Sequence, residues 1–484
     1  MNNSPESALP KRIHVIGICG VAMSAVAIAF KEKGVTVTGS DKGFFPPVST
    51  ELEKHGINFY AGWHPDKMVA DDRPDLVIVG AASGTKNPET LYAEGQNIPR
   101  YSYPEILGKY FIKENSIVCT GTWGKTSSTA LLSHILDHAF LDPTYMFGGI
   151  SLSHGSSARI GNGNFSVLEG DEYKSSPTEP RAKFFHYRPT HLLLTAVSWD
   201  HADLYPTESD YFNAFKKLLE MLSPTGLVLA CIDNPGVKET LASYAGKVIK
   251  YGRARFPRSD LEFESRNISP EYSYENAVQT RDGLELTISH NGNKYRVHSP
   301  MLGLYQSENI TGCFAMAREL GVATDKIIAA INSFKGLKRR LEKRSDGDVT
   351  VFDDIAHSPE KASAVLQTLK STYTGDIIAI FEPNMGGRSR ESLVKYKNAF
   401  ADADTVIIPR LTKLKTADNE SNQPIDGAEL ATIIFETHPN VKYIEDDADL
   451  VKYLISQAKK GDAIVFLGAH GFRGMIEEIV KLVR

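Results

Sequence analysis

Residues 118–129 read VCTGTWGKTSST, and the assignment of this stretch decides how the rest of the chain is understood. Val118 and Cys119 close a run of β-forming residues. Gly121 and Gly124 then bracket a tight turn, and Lys125 and Thr126 open a segment with helical spacing. A strand that enters a helix through a glycine turn leaves backbone N–H groups without intrahelical partners, aimed at whatever lies before the helix. Glycine lets that backbone approach phosphate oxygens closely. Gly121, Thr122, Gly124, Lys125, Thr126 and Ser127 therefore read as a nucleotide cradle. In it Lys125 reaches the β- and γ-phosphates and the Thr126 hydroxyl holds Mg2+. Position 119 is Cys where the strict phosphate-loop pattern has Gly.

If this reading is right, carboxylates are expected at the C-terminal ends of neighbouring strands, where ligands of open α/β sheets collect. The stretches FSVLEGDE (165–172) and HLLLTAVSWDH (191–201) supply them. Glu169, Asp171 and Glu172 end the first; Asp200 and His201, with Asp203 just beyond, end the second. Mg2+ takes few ligands from protein and prefers hard oxygen. Glu169 and His201 are thus the candidate metal ligands beside Thr126.

Toward the N-terminus, KRIHVIGICGVAMSAVAIAF (11–30) imitates a secretory leader. His14, Gly17 and Gly20 interrupt its apolar run. It reads better as a strand, a glycine turn and a helix ending at Gly34, followed by VTVTGSD as a second strand, which makes a βαβ unit. Gly17, Cys19, Gly20, Met23 and Ser24 form a second anion-facing turn. Asp41 follows the next strand, where a Rossmann acid meets a ribose. The turn is not GxGxxG, and it suits a nicotinamide dinucleotide or a nucleotide-sugar pyrophosphate equally. DLVIVGAA (75–82) is a contiguous apolar run and predicts a buried parallel strand. SYPEILGKYF (102–111) predicts a helix. MNNSPESALP ahead of the first strand reads as a frayed arm.

Toward the C-terminus, YFNAFKKLLEML predicts a helix and LVLACIDN a strand. LELTISHNGNKYRVHSP alternates around Asn291-Gly292, a type I′ hairpin signal. The helices SENITGCFAMARELG and ATDKIIAAINSFKG stop at Gly321 and Gly336. Four further strands, VTVFDDIA, GDIIAIFEP, DTVIIPR and GDAIVFLGA, alternate with helices. The expected fold is α/β in three domains: residues 1–112, Rossmann-like; 113–337, a central P-loop ATPase domain with a mostly parallel sheet and small antiparallel strands; and 338–484, Rossmann-like again. KRRLEKR at the start of the third domain has two readings, an arginine that reaches phosphate or the solvated start of a basic helix.

Bulk composition agrees. A chain of 484 residues exceeds one core. Hydrophobic residues at 42% and charged residues at 23% are ordinary globular values. A net charge of −5 and a pI near 6.3 exclude a surface built to grip nucleic acid. Four scattered cysteines, Cys19, Cys119, Cys231 and Cys313, have no CxxC pair or metal-ligand spacing and read as reduced thiols of a cytoplasmic protein. No stretch is long and apolar enough to span a bilayer.

Taken in order, these pieces resemble the Mur ligases, the ATP-dependent amide ligases of bacterial peptidoglycan, over nearly the whole chain. GICGVAMSAVA resembles the family's uridine-diphosphate turn, with Ser40 and Asp41 beside it. GTWGKTS resembles its ATP loop, with Trp123 where His or Asn is usual. EGDEY and Asp200-His201 resemble its magnesium acids and histidine. RRLE (339–342) and DDIAHSP (353–359) resemble its third-domain arginine and D-x-A-H-x-P element. The resemblance implies ATP and Mg2+ as cofactors and small-molecule substrates, with no nucleic acid or membrane insertion, in a monomer or weak homodimer. It places Asn309, Arg340 and Asp353 at ATP. It implies activation of the lactyl carboxylate of UDP-N-acetylmuramate as an acyl phosphate, which an amine then attacks. Lys125, His201, His357 and Arg340 carry that chemistry, with His357 holding or deprotonating the amine and the third domain closing to exclude water. Two family members act on this acid, one adding L-alanine and the other the tripeptide L-Ala-γ-D-Glu-meso-diaminopimelate. EGDEYKSSPTEPRAKFFHYRP, WDHADLYPT and FEP (381–383) resemble the tripeptide-adding branch. Arg388 and Arg390, with Arg410, Lys413 and Lys415, are candidates to meet the tripeptide's carboxylates. Two departures stand out: the family's N-x-E is Ala196, Val197, Ser198, and its G-x-H-N-x-x-N runs Gly303 to Asn309 with Tyr305, Gln306 and Glu308. Rival readings are a P-loop switch protein, a nicotinamide oxidoreductase and a folylpolyglutamate-type ligase.

Overall fold

Ile13, Val15 and Ile16 are buried on both faces of a parallel strand, which is why the segment reads as a continuous apolar run rather than an alternating one. It belongs to the first of three sheets in a computed structural model that describes residues 8–44, 46, 48–84, 86–201, 204–254, 270–384, 386–412 and 424–483. Asp203, Met385, Lys413, Lys415 and the stretch MNNSPES lie outside the described residues. The first sheet comprises β1 (Arg12–Ile16), β2 (Thr36–Asp41), β3 (Asn58–Ala61), β4 (Leu76–Val79) and β5 (Arg100–Ser102). Its order is β3-β2-β1-β4-β5 and every pairing is parallel. The order reverses between β1 and β4, so the turn at Gly17 opens at the switch point of a doubly wound sheet.

The second sheet has ten strands: β6 (Asn115–Thr120), β7 (Thr144–Met146), β8 (Ala158–Arg159), β9 (Phe165–Gly170), β10 (His191–Leu194), β11 (Leu227–Cys231), β12 (Lys247–Arg253), β13 (Tyr272–Thr280), β14 (Gly283–His290) and β15 (Asn293–Ser299). Their order is β15-β14-β13-β12-β11-β10-β6-β9-β7-β8. β6 runs parallel between β9 and β10, with Cys119 opposite Glu169 and Thr120 opposite both Gly170 and Leu194. That register sets the phosphate loop between the two strand ends that carry the acids. Cys119 lies inside extended β6 and is fully buried, so no glycine is needed there; the loop proper starts at Gly121. The predicted hairpin forms β14 and β15, with Asn291 and Gly292 at φ +48° and +76°, the left-handed pair a type I′ turn requires.

The third sheet holds β16 (Glu342–Asp346), β17 (Thr350–Asp354), β18 (Ile377–Glu382), β19 (Thr405–Pro409), β20 (Val441–Ile444) and β21 (Ala463–Gly468) in the order β16-β17-β21-β18-β19-β20. Only β16 is antiparallel to its neighbour. The helix reading of KRRLEKR is corrected here. Arg339 and Leu341 adopt left-handed backbone at φ +57° and +48°, which no helix start tolerates, and Glu342 accepts the Arg339 N–H at 2.9 Å. The chain turns and enters an edge strand, a place that suits charged residues.

The backbone falls into two compact units. One comprises residues 1–276, 286–297 and 308–335; the other comprises 277–285, 298–307 and 336–484. Within the first unit, the helix Val21–Glu32 is buried almost all round, from Met23 to Phe30. Phe30 meets Tyr110 at 5.6 Å and Phe111 at 6.0 Å between ring centroids. The same apolar cluster continues through Ala158, Ile160 and Leu168 to Val118 and Leu192. The first sheet's helical layer and the second sheet thus share one core. In the second unit, separate clusters cover the two faces of the third sheet, one around Phe352, Leu366 and Phe381, the other around Ile380, Phe466 and Ile479. Among the described residues no helix is long and apolar enough to cross a membrane.

Truncating a fully buried Phe leaves a cavity costing about 3–5 kcal/mol. Phe30→Ala is therefore expected to lower unfolding free energy by that amount, measured by urea titration. Because the core is shared, calorimetry should show the transitions of the first and second sheets shifting together.

Candidate active site

Two glycines shape the cradle. Gly121 has φ +143°, and a Cβ there would lie 2.3 Å from Thr195 Oγ1 and 2.7 Å from the Ala196 backbone. Gly124, at φ +82°, is the N-cap of the helix Lys125–His138, and a Cβ would meet Asn309 Oδ1 at 2.4 Å. Asn309 in turn accepts the Ser128 hydroxyl at 3.3 Å. The loop is tied to the segment after β10: Thr122 N–H donates to Ala196 O at 2.9 Å, and Thr122 Oγ1 bonds both the carbonyl and the N–H of Ser198 at 2.9 Å. Ala196 and Ser198, which depart from the family's N-x-E, serve this loop through their backbones.

The acids gather at the head of that helix. Lys125 Nζ lies 2.6 Å from Glu172 Oε2 and 3.3 Å from Asp171 Oδ1. Burial alone would lower the lysine's pKa; Glu172, Asp171 and Glu169 outweigh it and raise it, so the ammonium stays charged. Burial likewise opposes ionisation of Asp171, and Lys125 and Lys183 reverse the effect, holding its carboxyl far below the usual range. Glu169 accepts the Thr126 hydroxyl at 2.7 Å and the Gly148 N–H at 2.6 Å. His201 Nε2 sits 3.4 Å from Glu172 Oε1; burial lowers its pKa, while Glu172 and Asp200 raise it further. The contacts join the predicted residues in two groups, Thr126 with Glu169, and Lys125 with His201 through Glu172. The Thr126 hydroxyl and the Glu169 carboxylate supply the hard oxygens that Mg2+ prefers, while His201 is paired with Glu172.

At the first sheet, Gly17 takes φ +83°, and the Gly17 and Ile18 N–H groups donate to Ser40 O at 2.8 and 3.1 Å. Asp41 accepts the Cys19 N–H at 2.8 Å and the Lys42 N–H at 2.7 Å, clasping the turn. Burial, then the Asp41 charge, pushes the Cys19 thiol up to about 11. Gly20 caps the helix that carries Met23 and Ser24. Beneath this turn lies a buried acid that the sequence reading missed. Glu89 accepts Ser40 Oγ at 2.5 Å, Tyr60 OH at 2.6 Å and His64 N–H at 2.8 Å, with His14 Nε2 3.5 Å away. Burial raises its pKa, but these four donors outweigh it and lower it. The run Asn87-Pro88-Glu89, a cap residue before proline at a helix start, was its sequence signal.

In the second unit, Arg340 stands between the two left-handed residues Arg339 and Leu341. It faces Asp354, whose carboxyl burial pushes up to about 6 against the pull of Arg340. Asp354 clamps the turn by accepting the N–H of Leu341 at 2.5 Å and of Ala356 at 2.7 Å. Asp353 is held by Arg339 and Arg344, each at 3.3 Å. His357 Nδ1 lies 2.7 Å from Ile355 O, an acceptor, so the neutral ring carries its lone pair on Nε2. Arg388 is buried and donates to the carbonyls of Thr412 at 2.8 Å and Ile425 at 3.3 Å. Arg390 is exposed and pairs with Glu429 at 3.5 Å; Arg410 pairs with Asp447 at 3.1 Å.

Three domain families match the chain: "Mur ligase family, catalytic domain" over residues 12–114, "Mur ligase middle domain" over 119–317 and "Mur ligase, glutamate ligase domain" over 339–470. A UDP-N-acetylmuramate–L-alanyl-γ-D-glutamyl-meso-2,6-diaminoheptandioate ligase of Haemophilus influenzae is 30% identical, over 98% of this chain and 99% of that protein. The chain belongs to the Mur ligase family. It is accordingly an ATP-dependent, ADP-forming amide ligase of peptidoglycan biosynthesis, a family that generally uses Mg2+. A UDP-N-acetylmuramate–L-alanine ligase of Paramagnetospirillum magneticum is 31% identical over 94% of this Mur ligase and 92% of its own length. The crystal structure of UDP-N-acetylmuramate-alanine ligase MurC from Thermotoga maritima shares its fold, with a TM-score of 0.76 at 24% identity, covering 97% of this chain and 98% of that one.

Gly124→Ala places a side chain in left-handed backbone against Asn309. It is expected to weaken MgADP binding at least tenfold by titration calorimetry, with the fold retained by circular dichroism. Glu308, near Cys231 and Asp233, has its carboxyl pushed up to about 7 by burial first and the Asp233 charge second. A carboxyl with a raised folded pKa stabilises the protein as pH falls from about 7 toward the unfolded value and costs stability above it. Glu308→Gln, which imitates the protonated form, should therefore stabilise by about 3 kcal/mol at pH 8.5 and by less at pH 5, read from melting curves.

Proposed function

We propose that this Mur ligase joins the tripeptide L-Ala-γ-D-Glu-meso-diaminopimelate to the lactyl carboxylate of UDP-N-acetylmuramate, with conversion of ATP to ADP and phosphate. The observation that carries the reaction is the Lys125 ammonium set between Asp171 and Glu172, beside the Thr126–Glu169 pair. A carboxylate cannot acylate an amine at neutral pH, because the departing oxygen is too basic. Its oxygen instead attacks the γ-phosphorus, the bond to the β-phosphate oxygen breaks, and ADP leaves. The amine nitrogen then adds to the acyl carbon, the carbon–oxygen bond to phosphate breaks, and the amine gives up a proton.

Lys125 and the N–H groups at the head of the helix Lys125–His138 stabilise charge spread over the phosphoryl oxygens. Thr126, Glu169 and His201 would hold Mg2+, which supplies further neutralisation of that charge. The turn from Gly17 to Ser24, with Ser40 and Asp41, binds the sugar nucleotide. Asn309 and Asp353 serve ATP, and Arg340 adds a cation for its phosphates. His357, with its lone pair on Nε2, takes the amine's proton, and Arg388 and Arg390 serve the amine donor. The tripeptide as acceptor is supported by full-length similarity to the Haemophilus influenzae enzyme whose name states that peptide.

The test is phosphate release with ATP, Mg2+ and UDP-N-acetylmuramate, offering tripeptide and L-alanine in parallel. Tripeptide is expected to give the higher kcat/KM by at least tenfold. Turnover with L-alanine and none with tripeptide would overturn the acceptor while leaving the reaction class. Lys125→Ala is expected to reduce kcat by about 100- to 1,000-fold, the scale of losing one preorganised charge-stabilising group.

A further inference from the structure

Asp171 is shared by two lysines. Its Oδ1 lies 3.3 Å from Lys125 Nζ and its Oδ2 lies 2.5 Å from Lys183 Nζ. Among the described residues, these are the lysines within ion-pair distance of Asp171. Lys183 comes from outside the strand ends: it begins a short 3-10 turn, Lys183–His186, after a loop that departs at Tyr173 and returns through a bridge between Lys174 and Ala182. Its placement is built rather than incidental. The Lys183 N–H donates to Tyr173 O at 3.1 Å, the Phe184 N–H to Asp171 O at 3.3 Å, and the Phe184 side chain is fully buried against Phe215. The Lys183 side chain is 22% exposed. It is therefore largely covered, with its ammonium on the acid that also pairs with Lys125. The Tyr173 ring lies 6.0 Å from its ammonium and 5.0 Å from the His201 ring.

The reaction asks for a second cation in this place. Lys125 serves phosphate, yet the substrate carboxylate has to come within bonding distance of that same phosphate. Two anions so close repel unless a positive group lies beside the incoming one. An ammonium has three donors; Asp171 takes one of Lys183's and fixes its direction, which leaves the others for a ligand.

We propose that Lys183 binds the lactyl carboxylate of the sugar nucleotide, with Asp171 as its positioning partner, and so sets preference for a substrate that carries this acid. The inference rests on the function proposed above. UDP-N-acetylglucosamine, which lacks only the lactyl group, is the probe. Affinities of the full chain for it, for UDP-N-acetylmuramate and for MgADP are measured by titration calorimetry on wild type, K183M and K183R. Wild type is expected to prefer UDP-N-acetylmuramate by at least 30-fold. In K183M that preference falls below threefold, KM for UDP-N-acetylmuramate rises at least 30-fold, and affinities for UDP-N-acetylglucosamine and MgADP stay within twofold. K183R retains most of the preference.

A K183M protein that keeps the preference overturns the proposal. So does one that loses MgADP and both sugar nucleotides in parallel while K183R does not, since Lys183 would then serve only to hold Asp171. Wild-type enzyme that releases no phosphate with UDP-N-acetylmuramate and either amine overturns the underlying function instead, an outcome read before any variant is made.

Discussion

The ammonium of Lys125, held between two carboxylates just beyond the end of the neighbouring strand β9, is the constraint around which the central domain is arranged. Removing a lysine and two acids from water is expensive, and only mutual pairing makes the cluster tolerable. Glu172 and Asp171 raise the Lys125 pKa where burial alone would lower it. The helix that starts at Lys125 adds its own partial positive charge at the same point. The helix head thus presents a cation that is already desolvated and oriented. The acids meanwhile retain other partners, Lys183 on Asp171 and His201 on Glu172.

Sheet order explains why the cluster can exist. β6 lies in the interior of a ten-stranded sheet, parallel to β9 on one side and β10 on the other. All three strands point their C-terminal ends the same way, so a loop, a run of acids and a histidine emerge together. The segment after β10 does more than carry His201. The Thr195 hydroxyl and the backbone at Ala196 and Ser198 bracket the glycine turn, and the Cβ atoms absent from Gly121 and Gly124 are what permit that approach.

What was legible in the sequence follows the range of the physics. The phosphate loop is a local object, a strand, two glycines and a helix start, and each part imposes its own residue type. The first βαβ unit and the Asn291-Gly292 turn were readable for the same reason. The acids at 169–172 could be named but not paired with Lys125, because that pairing depends on the register of β9 against β6. Lys183 and Glu89 were missed since each reaches its partner through a loop or a separate helix. Glu89 meets Ser40 across 49 positions. The basic run 338–344 allowed two readings that residue types alone do not separate. Its composition suits an exposed helix, but the left-handed conformations of Arg339 and Leu341 are invisible in residue types that rarely adopt them. Arg388 is a candidate by charge alone; that it is buried and also gives two of its N–H groups to backbone carbonyls is a contact pattern charge does not reveal.

The apolar cluster that runs from Phe30 and Phe111 into Val118 and Leu168 also bears on how such a gene can change. A crossover between homologous genes near residue 112 would join halves whose buried surfaces had diversified separately. The chimaera would inherit mismatched side-chain volumes in a shared buried core. Exchange of the first sheet is therefore inherited cleanly only together with the second-sheet residues it packs against.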